Sequence, residues 1–160
     1  MNEKNIELFY DALDQSAMIM YKHLEIPYLT GIVRTCENII ANDVTIEYET
    51  LNKELSDIIE SISNIDCEKE EIRKAFQYAV LKGMKHQKIS NQMMTPETIG
   101  MLMSYLILKL YDVDAFRIYD PLVGTGNLVT SIANQIEQDV ELFGVDNFSE
   151  SYELSQALFG

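Results

Sequence analysis

Tryptophan is absent from this 160-residue chain, and proline occurs only three times and cysteine twice. Cationic side chains are also scarce: 12 lysines and arginines face 26 aspartates and glutamates, for a formal net charge of −14. Each shortage narrows the function. Cys36 and Cys67 stand alone, without Cys-x-x-Cys spacing, so they offer neither a zinc site nor a disulfide framework. His23 and His86 are far apart and have no metal-ligand spacing, so no metal site is expected. No apolar run approaches the ~20 residues of a membrane span. The opening Met1-Asn2-Glu3-Lys4-Asn5 lacks the zones of a secretory signal. A cytoplasmic chain with no membrane partner is the expectation. Nucleic-acid affinity comes largely from cations that neutralise phosphates, so so acidic a surface is a poor nucleic-acid module by itself.

What is present is an ample supply of apolar residues, 47% of the chain, and most follow helical spacing. Ile6, Phe9, Tyr10, Leu13, Ala17 and Met20 form one stripe, and Ile32, Val33, Cys36, Ile39 and Ile40 a second, with Pro27 between them. Cys36, set among isoleucines, reads as a buried packing thiol. Asn42-Asp43 marks a break. Leu51, Leu55, Ile58, Ile59 and Ile62 give a third stripe. Ile72, Phe76, Ala79 and Val80 give a fourth, with Gly83 expected as its C-cap. These residues predict a helical bundle over 1–88. Its acidic run, Glu37 to Glu71, and its basic run, Arg73 to Lys88, read as solvated helix surface.

A different pattern follows over 89–160. Residues 89–94 read as a short irregular segment. Thr95-Pro96-Glu97 has the marks of a helix start, with Thr95 as cap and Pro96 in the first turn. The helix beyond it, Ile99 to Leu110, is apolar almost all round and is expected to be buried on more than one side. Ala115 to Tyr119 reads as a strand, Leu128 to Glu137 as a helix, and Val140 to Val145 as a second strand. Ser149 is placed to cap a last helix. Strand, loop, helix and strand predict a βαβ unit with parallel strands. The expected fold is therefore α/β, mostly helical: an amino-terminal helical bundle followed by the beginning of a Rossmann-like parallel sheet.

The loop between the first strand and its helix is Asp120-Pro121-Leu122-Val123-Gly124-Thr125-Gly126-Asn127. Gly124 and Gly126 can adopt positive φ and admit a ligand close to the backbone. Asp120 lies at the carboxyl end of its strand, where open α/β sheets bind ligands. Asp146, twenty residues beyond Gly126, ends the next strand, from which a carboxylate can accept ribose hydroxyls. The dinucleotide pattern G-x-G-x-x-G fails, because Val129 stands at the third glycine position. Asp120 would also repel a pyrophosphate, which disfavours a nucleotide-dependent oxidoreductase. An acid there suits a cationic, amino-bearing cofactor. The same residues also suit plainer roles: Thr95-Pro96 as a helix start, Asp146 as a turn residue, and the loop as an ordinary strand-to-helix turn.

The segment Asp120 to Leu128 closely resembles the Asp-Pro-x-x-Gly-x-Gly motif of the N6-adenine DNA methyltransferases, which are class I S-adenosylmethionine-dependent enzymes. Gly144-Val145-Asp146 is similar to that family's second motif, and Gln92-Met93-Met94-Thr95-Pro96-Glu97 to its upstream Thr-Pro segment. The resemblance implies S-adenosylmethionine as cofactor and a binding set of Thr95, Pro96, Asp120, Pro121, Gly124, Gly126, Asn127 and Asp146. Asp120 would face the methionine amino group, Asp146 the ribose, and Thr95 and Pro96 the methionine end.

The family's catalytic motif, an Asn or Asp followed by Pro-Pro and an aromatic residue, is missing. Pro27, Pro96 and Pro121 are all isolated. No catalytic residue is assigned. The expectation is an amino-terminal part of a methyltransferase, inactive alone, reaching nucleic acid only through a further carboxy-terminal part. The alternative is a non-catalytic helical interaction module carrying a relic cofactor loop. An unfinished parallel sheet leaves free strand edges, so a homodimer through the sheet edge or the helical domain is expected.

Overall fold

The computed structural model describes residues 1–46, 48–87 and 94–159. They form seven helices and two strands: α1 (Glu3–Leu24), α2 (Tyr28–Ala41), α3 (Glu49–Ser63), α4 (Lys69–His86), α5 (Glu97–Leu110), β1 (Ala115–Asp120), α6 (Asn127–Ala133), β2 (Asp139–Gly144) and α7 (Ser149–Phe159). The chain packs as two compact units, Met1–Ile89 and Ser90–Phe159. The α/β fold read from the sequence, a helical bundle followed by the start of a parallel sheet, is the fold observed.

In the first unit, the stripe on α1 buries Ile6, Leu13, Ala17 and Met20. Asn2 caps this helix, its Oδ1 accepting from the Lys4 amide at 3.1 Å. Gly31 lets α2 approach closely: a Cβ there would lie 3.0 Å from Ala17 Cα. Met20, Val44, Leu55 and Ile59 form a shared core, with Ile39 and Ile46 packed against it. Cys36 is buried, and burial pushes its thiol up to about 12. The packing role expected for it is the one it has.

One carboxylate ties three helices of this unit. Asp14 on α1 accepts the Tyr28 hydroxyl of α2 at 2.6 Å and the Lys82 ammonium of α4 at 2.6 and 2.7 Å. Burial and the Asp14 bond raise the Tyr28 hydroxyl well above the ordinary phenol range. Another carboxylate, the buried Glu71 on α4, accepts the Asn5 side-chain amide at 2.9 Å and the Asn2 backbone amide. The Asn5 and Asn2 bonds hold its carboxyl below the usual range, against the opposing effect of burial.

Gly83 is not a C-cap. The fourth helix runs on to His86, and Gly83 is buried inside it. Its smallness answers to packing, because a Cβ at this position would collide with the Leu29 side chain and lie 2.8 Å from Tyr28 Cδ1. Sequence periodicity alone does not distinguish a glycine that ends a helix from one that makes room for a neighbour.

In the second unit, β1 and β2 pair in parallel from Ala115↔Asp139 to Asp120↔Gly144. Alternate residues Phe116, Ile118, Val140 and Leu142 are half-buried on one face. The other face is exposed and carries the Arg117–Glu141 ion pair at 2.8 Å beside Tyr119 and Phe143. The connecting helix α6 ends at Ala133, before the expected Glu137, although Ile136 beyond it is still buried.

Three further expectations need correction. Pro96, not Thr95, is the N-cap of α5, and it forms no side-chain cap bond. Ser149 opens α7 as its first residue rather than capping it from outside. The apolar α5 is buried on one narrow side only, through Gly100 and Ser104. Gly100 lies so close to α6 that a Cβ would be 2.7 Å from Ser131 Oγ. Around it, Met101, Leu102, Tyr105, Leu106, Leu108 and Leu110 are 40 to 72% exposed. The residues expected as an irregular segment at 89–94 lie outside the described residues except Met94, as do Gln92 and Met93 of the Thr-Pro segment and Lys88 of the basic run.

Candidate functional site

The site is built where β1 and β2 end. β1 ends on Asp120, Asp146 lies two residues past the end of β2, and each aspartate folds the chain back with the same local bond. Asp120 Oδ1 accepts the Leu122 amide at 2.9 Å, and Asp146 Oδ1 accepts the Phe148 amide at 2.9 Å. Such Asx turns are what a short carboxylate side chain provides at the start of a loop. Backbone pairing then continues past the last ladder residues. The Val145 amide donates to Asp120 O at 3.1 Å, and the Val123 amide to Val145 O at 2.9 Å. The two loops are thereby zipped together above the sheet.

The glycines sit inside this platform with positive φ, Gly124 at 55° and Gly126 at 80°. An L side chain rarely adopts either conformation. Gly124 donates its amide to Asp146 Oδ2 at 2.8 Å. Gly126 is the N-cap of α6. Its open side does not face solvent, because a Cβ there would meet Phe159 Cε1 of α7 at 2.9 Å and Ser155 Cα at 3.3 Å. The freedom of Gly126 is thus used for helix packing as well as for the turn.

Asn127, the first residue of α6, is buried, and its side-chain amide reaches Thr95 O at 3.4 Å. This contact brings the Thr95-Pro96 segment alongside the glycine loop. Hydrogen bonds pair Thr95 with Asn127 and Gly124 with Asp146, and a backbone series joins Asp120 to Gly126 through Val145 and Val123. Pro121 is exposed at the outer turn of the loop, and Pro96 is exposed at the start of α5. The bridging role of Val145 and the seat of Gly126 against Phe159 were not signalled by the sequence, since a backbone bond and a packing contact leave no motif. Among the described residues, no group of three or more His, Cys, Asp or Glu is placed to hold a metal ion, and no helix is long and apolar enough to cross a membrane.

Asp120 uses one carboxylate oxygen for the Leu122 amide, and its other oxygen takes no hydrogen bond from the described residues. Beside β2 and α7 lies a cavity of about 400 Å³, lined by Tyr119, Phe143, Val145, Tyr152, Gln156 and Phe159 among others. None of Asp120, Gly124, Gly126 and Asp146 lines this cavity.

Residues 7–84 match the family model of the YtxK N-terminal helical domain. The chain is 33% identical over 151 residues to the uncharacterised protein YtxK of Bacillus subtilis, a match covering 91% of this chain and 46% of the relative. It also superposes on a Listeria monocytogenes protein whose crystal structure is described as that of a candidate class I S-adenosylmethionine-dependent methyltransferase. That match has a TM-score of 0.86 and 34% identity, and covers 98% of this chain and 50% of the other. The chain thus spans about half the length of each of these two proteins. Its fold is methyltransferase-like.

Proposed function

We propose that this chain is the amino-terminal part of an S-adenosylmethionine-dependent methyltransferase of the N6-adenine type, with the cofactor seated on the loop Asp120 to Asn127. The observation that carries this reading is the unengaged oxygen of Asp120 at the end of β1, beside a glycine loop tied to the end of β2. The residues fit the group. A carboxylate with spare lone pairs suits the methionine ammonium, and Asp146 keeps acceptor capacity for ribose hydroxyls. Thr95 and Pro96, held near by Asn127, are suited to line the methionine end. When bound, the cofactor supplies an electrophilic methyl group. The chain's own part is to bind and orient it.

In this reading, residues 1–88 form an accessory domain and 89–160 begin the cofactor domain of a cytoplasmic enzyme. The methyl acceptor, adenine in DNA, is gripped by a further part that carries the Pro-Pro-aromatic motif. The likeness to the Listeria protein supports the general methyltransferase reading. The test is calorimetric titration of this chain, and of the longer protein, with S-adenosylmethionine. Saturable binding is expected, with Asp120→Ala weakening it at least about tenfold, the loss of one charge-assisted bond. An Asp120→Ala protein that binds as tightly as wild type would sink the assignment.

A second reading is favoured by the exposed apolar side of α5. Here the chain is an interaction module that pairs with a second copy, and the loop is a relic. A chain that forms a stable dimer and takes up no S-adenosylmethionine supports this reading over the first.

A further inference from the structure

We infer that Asp146 is a positioning residue: its carboxylate latches the glycine loop to the end of β2 and holds Gly124 in its left-handed conformation before any ligand arrives. The latch rests on geometry alone, and its consequence for ligand binding rests on the cofactor reading above.

The two strand-end aspartates make the same Asx turn but differ in what they do with the second oxygen. Asp120 leaves Oδ2 without a bond from the described residues, whereas Asp146 extends Oδ2 across to the Gly124 amide at 2.8 Å. This bond stands where the backbone zipper stops. Asp120, Val123 and Val145 are paired by main-chain bonds, and the pairing ends one residue short of Gly124. The Gly124 amide is half-buried and finds its partner in Asp146. A charge-assisted bond at that point is about twice as strong as a neutral one, and it fixes a residue whose φ of 55° an unrestrained glycine would leave as readily as keep.

A carboxylate has about four acceptor positions, and the two amides use two of them. Asp146 therefore retains capacity for a ligand's hydroxyl groups while it holds the loop. A ligand that engages Asp146 meets a loop already ordered, so binding is spared part of the cost of ordering it.

The test is amide hydrogen exchange, read by NMR, on the full 160-residue chain without ligand. In Asp146→Ala, exchange of the Gly124 and Phe148 amides is expected to accelerate at least tenfold, while the Ile132 and Leu55 amides keep their wild-type protection. Asp146→Asn, which keeps one acceptor oxygen, restores protection at one of the two amides. Unchanged Gly124 exchange in both variants overturns the latch, and so does a uniform rise across all four amides, which marks general loosening. A second arm titrates S-adenosylmethionine. Asp146→Ala, which loses both the amide bonds and the ligand's acceptor, is expected to weaken binding at least tenfold, and unchanged affinity overturns the link between latch and ligand. A wild-type chain that shows the exchange pattern but takes up no S-adenosylmethionine removes the cofactor reading and leaves the latch standing.

Discussion

Glu71 shows how much a single buried carboxylate organises. It accepts the Asn5 side chain and the backbone amides of Asn2 and Glu68, and so joins the start of α1 to the start of α4. Those bonds depress its carboxyl. A carboxylate whose folded pKa is depressed contributes stability above its unfolded pKa and loses it as pH falls through the folded value. The urea midpoint of the chain is therefore expected to hold steady from neutral pH to about pH 5 and to drop below about pH 4. Glu71→Gln lowers the midpoint at neutral pH and flattens that acid limb. An acid limb of unchanged slope in the variant would show that other carboxylates carry it. Asp14 differs in kind, because it is partly exposed and shares its charge with Lys82 and Tyr28.

Between elements, glycine has two incompatible meanings, and Gly83 carries the less visible one. Glycine in a helix interior costs about 1 kcal/mol relative to alanine, so Gly83→Ala would stabilise an isolated α4. In the bundle, the added Cβ lands on Leu29 and Tyr28. Overpacking of that kind typically costs about 1–3 kcal/mol, so the substitution is expected to lower the melting temperature. Differential scanning calorimetry checks the sign, and a rise would mean that Leu29 moves aside freely.

The same contrast explains what was legible in the sequence. Stripes such as Leu55, Ile59 and Ile62 marked α3 because one side of that helix is buried. Alternation marked the strands less clearly, and their parallel pairing was read instead from the order of elements. Asp120, Gly124 and Asp146 were legible as a candidate site because strand ends and positive φ demand particular residues. What escaped was anything set by partners distant in sequence: the Asp14 tie, the true end of α6, and the exposure of α5. A helix apolar all round predicts burial, yet here Gly100 and Ser104 are the buried residues of α5, with Gly100 seated against Ser131 of α6. Nothing in its own residues shows how many neighbours it has.

For the molecule as a whole, that exposed side is the main departure from the surface of a soluble monomer. Contiguous apolar surface of this kind marks an interaction face, and the free edges of a two-stranded parallel sheet add to it. The isolated chain is expected to self-associate in sedimentation velocity runs and to enhance the fluorescence of an apolar dye. Leu106→Lys, placed in the middle of the exposed side, should shift the distribution toward monomer. A wild-type chain that sediments as a monomer at every concentration and leaves the dye dark would count against the homodimer proposal. Its net charge of −14 works against self-association, so raising the salt concentration should strengthen it.

The bond network that joins Asn2 and Asn5 to Glu71 also sets a timetable. During synthesis, the first helix emerges long before its partner residue exists. Its capping turn can form at once, but its attachment to the fourth helix waits for Glu71 to clear the ribosome. The amino-terminal unit is thus completed late and by its own beginning, while the strands that carry the candidate site are still to be made.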